Sequence, residues 1–344
     1  MRCNKQTDYP LETLPQPVIY QSMTPQRFST DVVPKFEPAV FKGFARDWDI
    51  VKAARQSAGD AAGYLQHRAA KIMHRMVIAP ADIKGRIGYN QSLDGMNFQL
   101  QDIDLARGIE QMINGDSQAQ EQRCFQSVPV TSGFPALLDE IPNPLVSDTA
   151  KPFVWVGNRL TVSPHFDEAN NIAVVATGRR RFTFFPPEQL ANLYIGPLNY
   201  TPAGQPVSLV DLHEPDLQRF PRYAEAYQHG LSVELEAGDA VYIPSPWWHH
   251  VQSLEPFNIL INYWWSGSFV SSSMPFTFLL HGMQVTKNMT PAQRQAWKSI
   301  LDYYLFEEGA DPAAHIPEPA RGVLGQLTPE MAAQLHQWLA QQIR

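Results

Sequence analysis

A histidine and an aspartate stand two residues apart, at His165 and Asp167, within the strand-like stretch Thr161–Pro187. Side chains two residues apart in a β-strand project from the same face, so the imidazole and the carboxylate are expected to lie close together. Two ligands of one metal ion are presented in this way. Thr161 and Ser163 lie at alternate positions of the same stretch, so they are expected on the same face as His165 and Asp167, with apolar residues on the opposite face. The polar face is predicted to line a cavity and contact a bound cofactor.

A third ligand is expected from the histidines of Pro244–Leu254. Two imidazoles and a carboxylate on one face of an iron ion leave the opposite positions open, which is the arrangement of non-haem Fe(II) oxygenases. His249 and His250 are adjacent, so in a strand they point to opposite faces and only one of them can be a ligand. Taken alone, a histidine and an aspartate at this spacing in a strand are more often an ordinary hydrogen-bonded pair or a surface feature than metal ligands.

Further motifs follow in order along the chain. They are GN…SPHFDE at 157–168, FPPEQL at 185–190, PDLQRFP at 215–221, GDAVYIPSPWWHHVQSL at 238–254 and INYWW at 261–265. Together they resemble the JmjC/cupin-8 family of Fe(II)- and 2-oxoglutarate-dependent oxygenases, and within that family they look most like an asparaginyl hydroxylase. The resemblance implies that Fe(II) is bound by His165, Asp167 and His249, and that 2-oxoglutarate is the co-substrate.

Arg180 stands where the family usually has a lysine, which pairs with the far carboxylate of 2-oxoglutarate. An arginine can bind a carboxylate with two hydrogen bonds and is always charged. Arg180 also shares strand parity with Phe182 and Phe184, which are expected to face inward. Arg179 and Arg181 are predicted to be solvated at the tip of a hairpin.

Three other positions can be compared with the family pattern, of which two match it and one departs from it. Asn171 and Asn262 match residues that contact or support the co-substrate, although either could instead be a hydrogen-bonded core amide. Phe125 corresponds to a position where the family often has a tyrosine hydroxyl, which a phenylalanine cannot supply.

The predicted fold is mainly β with α: a double-stranded β-helix, the jelly-roll of cupins. We expect an N-terminal arm and helix-strand elaboration over 1–120, the catalytic barrel over 121–270 and a helical region over 271–344. A helix is predicted over Asp49–Ala70 and another from about Ile103 to Ile113. The C-terminal helices are predicted at Pro275–Val285, Pro291–Glu307 and Pro329–Ile343.

In the family that the sequence resembles, C-terminal helices pair two subunits, so a homodimer is expected. The alternative is a helical cap on one end of the barrel.

The amino-acid composition limits the kinds of partner and the cellular compartment that are expected for this protein. The 344 residues carry 27 Lys and Arg against 34 Asp and Glu, and the resulting net charge of −7 does not favour a nucleic-acid partner. The only cysteines are Cys3 and Cys124, which excludes a disulfide framework and indicates a reducing compartment. No stretch is apolar and long enough to span a bilayer, so a soluble, cytoplasmic protein without a membrane partner is expected.

The predicted function is Fe(II)- and 2-oxoglutarate-dependent hydroxylation of a protein side chain or a small molecule. A demethylase uses the same centre and is not separated from a hydroxylase by the sequence. A metal-binding cupin without turnover and a cupin isomerase without a co-substrate are the alternatives from other classes.

Overall fold

The computed structural model describes residues 8–115, 121–198, 201–202, 204–266, 275–306, 309 and 311–342. The chain divides into two compact units, Met1–Trp265 and Ser266–Arg344. Within the described ranges, none of the helices combines the length and the apolar character needed to cross a membrane.

The strands of the first unit are, in chain order, β1 (Val18–Tyr20), β2 (Ala39–Phe41), β3 (Met73–Ala79), β4 (Arg86–Ile87), β5 (Gln99–Asp104), β6 (Gln122–Pro129), β7 (Lys151–Gly157), β8 (Thr161–His165), β9 (Asn170–Thr177), β10 (Arg179–Phe185), β11 (Leu231–Glu236), β12 (Ala240–Ile243), β13 (Trp248–Ser253) and β14 (Asn258–Trp265). Nine form a sheet in the order β1-β2-β12-β9-β14-β7-β6-β3-β5, and five form a sheet in the order β11-β10-β13-β8-β4. The long strands pair antiparallel, whereas β1 with β2 and β4 with β8 are parallel. The predicted double-stranded β-helix with added helices is confirmed.

The α-helices of the described residues are α1 (Pro25–Arg27), α2 (Asp49–Gln56), α3 (Ala58–Gln66), α4 (Leu105–Asn114), α5 (Val130–Gly133), α6 (Tyr223–Gln228), α7 (Pro275–Thr286), α8 (Pro291–Leu301) and α9 (Pro329–Gln342). The single helix predicted over Asp49–Ala70 is wrong, because the chain breaks at Ser57. The Ser57 hydroxyl accepts a hydrogen bond from the Asp60 amide and starts α3. Ile103 belongs to β5, because α4 begins only after the Asp104 cap.

Apolar side chains fill the space between the two sheets. Phe182 and Phe184 of β10 point inward, as predicted, and pack with Val233 and Leu235 of β11 and Val175 of β9. A second and larger core cluster joins α2, α3 and α4 to the nine-stranded sheet. A cavity between the two sheets therefore has rigid, closely packed walls on both sides.

The segment between β10 and β11 is packed against the barrel. Val210, Leu212 and Phe220 form a cluster with Leu11 and Leu14 of the N-terminal arm. The Ser232 amide also donates to the Pro15 carbonyl, so the described part of the arm is fixed on the barrel. Residues 1–7, which include Cys3, lie outside the described residues.

The C-terminal unit is helical at the predicted positions. Thr290 caps α8 in a capping box with Gln293, and Pro291 occupies the first turn. The predicted ends at Glu307 and Ile343 lie outside the described residues. No residue of α7, α8 or α9 is buried among those that the structure describes.

Candidate metal centre and its cavity

His165, Asp167 and His249 lie together at one end of a cavity between the sheets. One ligand atom from each residue lies within 4.8 Å of the other two, and no other group of three or more His, Cys, Asp or Glu side chains does so in the described ranges. The Nε2 atom of His249 is 3.7 Å from Oδ2 of Asp167, and the two imidazole centroids are 4.2 Å apart. Two imidazoles and a carboxylate suit Fe(II) at three positions and leave others open.

The strand pairing explains why the two histidines meet. His165 ends β8 and lies directly opposite His249 of β13 in the antiparallel register. Asp167 follows the end of the strand, which corrects the prediction that the whole His-x-Asp motif lies in β structure. The Ser245 hydroxyl holds this turn by donating to the Asp167 carbonyl at 2.7 Å.

Backbone carbonyls fix the tautomer of both histidines. Nδ1 of His165 is 3.0 Å from the Ser163 carbonyl, and Nδ1 of His249 is 3.1 Å from the Trp247 carbonyl. A carbonyl only accepts, so each Nδ1 carries the proton and each Nε2 is free to bind a metal. Burial, and then the neighbouring His249, lower the pKa of His165 to about 4. The imidazole of His165 is therefore neutral, as a ligand must be, at physiological pH.

The Asp167 carboxylate is held by two donors. Trp264 Nε1 donates to its Oδ2 at 3.0 Å, and Asn171 Nδ2 donates to the same oxygen at 3.3 Å. The side-chain oxygen Oδ1 of Asn171 in turn accepts a hydrogen bond from Asn262 Nδ2 at 3.0 Å. Asn171 and Asn262 both line the cavity, and Oδ1 of Asn262 is buried without a partner among the described residues. Sequence reasoning missed the contact of Trp264 with the carboxylate, because it depends on the pairing of β14 with β9.

Thr161 and Ser163 do not line the central cavity, which corrects the prediction from strand parity. In the pairing of β8 with β13, Val162 lies opposite Val251 and His165 lies opposite His249. Two residues of β8, Ser163 and Pro164, therefore lie opposite the single residue His250 of β13. This β-bulge shifts the alternation by one residue, and Val162 faces the cavity together with His165. Thr161 and Ser163 are buried on the other side of the strand.

Arg180 lies in the wall of the same cavity. It is 7% exposed, and its guanidinium makes no hydrogen bond or ion pair within the described part of the chain. Burial lowers its pKa to about 10, so the group remains charged at neutral pH. Arg179 and Arg181 differ from it because both pair with Glu234. Arg179 is solvated as predicted, whereas the Arg181 side chain is only 17% exposed.

Phe125 is fully buried in the large core cluster and is absent from the cavity lining. A β-bulge in β6 places Gln126 and Ser127 together opposite Trp155 of β7. Ser127 adopts a left-handed φ of 48° and lines the cavity, as does Trp155. The serine hydroxyl is a functional group that sequence reasoning missed, because a bulge leaves no mark in the residue pattern.

His250 faces away from the metal position, as its adjacency to His249 predicts. It is buried, it does not line the cavity, and its ring lies 5.6 Å from that of His213. Phe182, Ile243, Val251 and Leu260 form the apolar part of the wall. The cavity thus combines a compact donor set, a buried cation and apolar surfaces that exclude water.

A jelly-roll of two sheets with a His-Asp-His donor set between them defines the cupin class of metal-binding proteins. A family model described as the cupin-like domain matches residues 25–271, and the chain belongs to that JmjC-type family. The match is to the family as a whole, and the narrower likeness to an asparaginyl hydroxylase is not supported.

Several curated proteins are similar to parts of the chain. HSPB1-associated protein 1 of Homo sapiens is 34% identical over 113 residues, which are 32% of this chain and 22% of that protein. Lysine-specific demethylase JMJ31 of Arabidopsis thaliana is 34% identical over 32% of this chain and 20% of its own length. The tRNA wybutosine-synthesizing protein 5 of Gallus gallus is 24% identical over 71% of this chain and 74% of its own length. The matches to the first two therefore span only about a fifth of those proteins.

Proposed function

We propose that this protein is an Fe(II)- and 2-oxoglutarate-dependent oxygenase that hydroxylates a protein side chain or a small molecule. The observation that carries the proposal is the buried guanidinium of Arg180, unpaired among the described residues and facing the cavity of the metal ligands. A buried charge without a partner is unfavourable by several kcal/mol, about 3–5 in measured pairs. A dicarboxylate that binds the metal with one end and Arg180 with the other satisfies both groups.

The residues of the cavity then have distinct proposed roles. His165, Asp167 and His249 would hold the metal from one side, with Trp264 and Asn171 keeping the carboxylate in place. When bound, Fe(II) supplies the chemistry by which 2-oxoglutarate and oxygen become succinate, carbon dioxide and one hydroxyl group on the substrate. The apolar walls exclude bulk water, which strengthens the pairing of a carboxylate with the arginine.

The substrate is proposed to be a protein side chain or a small molecule. The relatives named above include a lysine-specific demethylase and a protein of tRNA wybutosine synthesis, so their names do not agree on one substrate. The net charge of −7 disfavours binding to a phosphate backbone. Hydroxylation of an N-methyl carbon, which leads to demethylation, requires no change in the centre.

The proposal is tested by titrating Fe(II)-loaded protein with 2-oxoglutarate without oxygen, and then measuring succinate after oxygen is admitted. We expect saturable binding and succinate formation that requires both iron and oxygen. If iron binds but 2-oxoglutarate does not, a metal-binding cupin without this co-substrate is the correct interpretation. Matched protein stripped of iron with a chelator is the control.

We also propose that the protein forms a homodimer through its C-terminal helices. The support is the exposure of large apolar side chains in that unit, where Trp297, Phe306 and Trp338 are 48%, 65% and 56% exposed. Exposed large apolar side chains in this number favour coverage by a protein partner. Light scattering should give the mass of two chains, and Trp297→Glu or Trp338→Glu should shift the mass toward one chain. A wild-type monomer at micromolar concentration would rule out the dimer.

A further inference from the structure

Arg180 shares its cavity with a second unpartnered donor, the indole of Trp155. Trp155 lies in β7 opposite Leu260 of β14, and both side chains line the cavity. Its Nε1 atom is buried and has no hydrogen-bond partner in the part of the chain that the structure describes. An indole N–H can only donate, and a buried donor without an acceptor is unfavourable.

Trp155 and Arg180 both lie where the central cavity adjoins a smaller one, which we call the inner end of the cavity. Both of them, with Val162 and Val251, line the central cavity and a smaller one that Cys124 and other residues close. No aspartate or glutamate lines the smaller cavity among the described residues. A bound anion would therefore meet two donors there and no competing carboxylate.

The backbone beside Trp155 is unusual. Gln126 and Ser127 both stand opposite Trp155 across the bulge in β6, and Ser127 has a φ of 48°. A residue other than glycine rarely adopts this conformation, which is found preferentially at binding sites. The bulge places the short side chain of Ser127 in the wall next to the indole.

We propose that Trp155 is a positioning residue whose indole N–H donates to the distal carboxylate of the dicarboxylate co-substrate, alongside the guanidinium of Arg180. This inference rests on the proposed function. Trp155 belongs to the nine-stranded sheet and Arg180 to the five-stranded sheet, so the carboxylate is held from two opposed walls. Two donors on separate rigid strands fix the orientation of the carboxylate, which one long side chain does not.

The test compares two 2-oxo acids by calorimetric titration of Fe(II)-loaded protein without oxygen. 2-Oxoglutarate carries the distal carboxylate, and 2-oxobutyrate lacks it. Trp155→Phe keeps an aromatic ring and removes the N–H, so the affinity for 2-oxoglutarate should fall about tenfold. The affinity for 2-oxobutyrate should not change. Trp48→Phe is the matched control, because Trp48 is a buried core indole outside the cavity lining.

The outcomes are distinct. Unchanged 2-oxoglutarate affinity in Trp155→Phe, or an equal loss for both acids, would overturn the role of Trp155 while leaving the proposed function intact. Absence of 2-oxoglutarate binding in the wild type would instead overturn the proposed function.

A measurement on the wild type covers the case in which Trp155→Phe does not fold. In Zn(II)-loaded protein labelled with ¹⁵N at the tryptophan indoles, 2-oxoglutarate should move one indole signal that 2-oxobutyrate leaves in place. If the two acids give the same indole spectrum, Trp155 does not contact the distal carboxylate.

Discussion

The metal end and the inner end of the cavity differ in how far the protein satisfies its own polar groups. At the metal end, the Nδ1 atoms of His165 and His249 bind backbone carbonyls and the Asp167 carboxylate accepts two hydrogen bonds. At the inner end, Arg180 Nε and Trp155 Nε1 are both buried without partners among the described residues. The metal ligands are therefore held by partners within the protein, although Oδ1 of Asn262 beside them has none among the described residues. The two donors at the inner end are those that we propose a bound carboxylate satisfies.

This difference separates two kinds of variant. Changes at the metal end should alter how much metal is bound. Changes at the inner end should leave the metal in place and alter only the binding of a carboxylate.

The largest effect is expected from Asp167→Ala. Two histidines alone cannot hold an open three-ligand site, so the affinity for Fe(II) should fall by more than about a hundredfold. Iron content after anaerobic dialysis measures this. Asp211→Ala is the control, since Asp211 lies outside the cavity, 3.8 Å from Arg86. Unchanged iron stoichiometry and affinity in Asp167→Ala would remove Asp167 from the metal site.

Arg180→Ala tests the inner end. Iron binding should be intact, and the co-substrate should bind more weakly by about 2–4 kcal/mol, because its buried carboxylate would lose its charged partner. Arg180→Lys should recover part of the loss. Arg179→Ala should do little, since Arg179 pairs with Glu234 and Glu255 at the surface. The measurement is an anaerobic titration of the visible absorption band of the Fe(II)–2-oxoglutarate complex. If Arg180→Ala titrates like the wild type, the carboxylate is anchored elsewhere.

Much of the barrel could be predicted from the sequence, because alternating apolar residues mark strands such as β10 and β11 and a continuous apolar run marks β9. The inward direction of Arg180 followed from the same parity and was confirmed. The break of the first helix at Ser57 was not predicted, since an alanine-rich stretch with helical spacing on both sides conceals a capping serine.

The parts of the site that could not be predicted depend on bulges and on pairing between distant strands. One extra residue in β8 turns Thr161 and Ser163 away from the cavity, and one in β6 brings Ser127 into it. A period of two cannot reveal either irregularity. The contact of Trp264 with Asp167 spans 97 positions in the sequence and arises only when β14 pairs with β9.

Trp264→Phe should have a smaller effect at the metal end. It removes one of the two hydrogen bonds to the Asp167 carboxylate while keeping an aromatic side chain, so metal affinity should fall about tenfold. Trp265→Phe is the matched control, because the neighbouring indole packs on Phe28 and Tyr242 instead. Competition with a chelator measures the affinity. Equal affinities in the two variants would show that the indole N–H does not support the ligand.

The smallest effect is expected on the stability of the metal-free protein, through His250, which is buried outside the cavity lining. Burial holds the pKa of His250 well below its usual range, and burial also lowers the pKa of His213, whose ring faces it. The folded protein keeps His250 neutral, whereas His250 in the unfolded chain is protonated as the pH falls through about 6.5. Below that pH the unfolded state therefore binds more protons than the folded state.

The free energy of unfolding should therefore be fully retained above about pH 7 and should decrease below about pH 6.5, by up to about 1.4 kcal/mol per pH unit for each such histidine. Urea titrations of metal-free protein at pH 7.5, 6.0 and 5.0 measure the slope. His250→Gln should flatten the slope, because the glutamine does not titrate. Equal slopes in the wild type and His250→Gln would mean that His250 is solvated or paired in the folded protein.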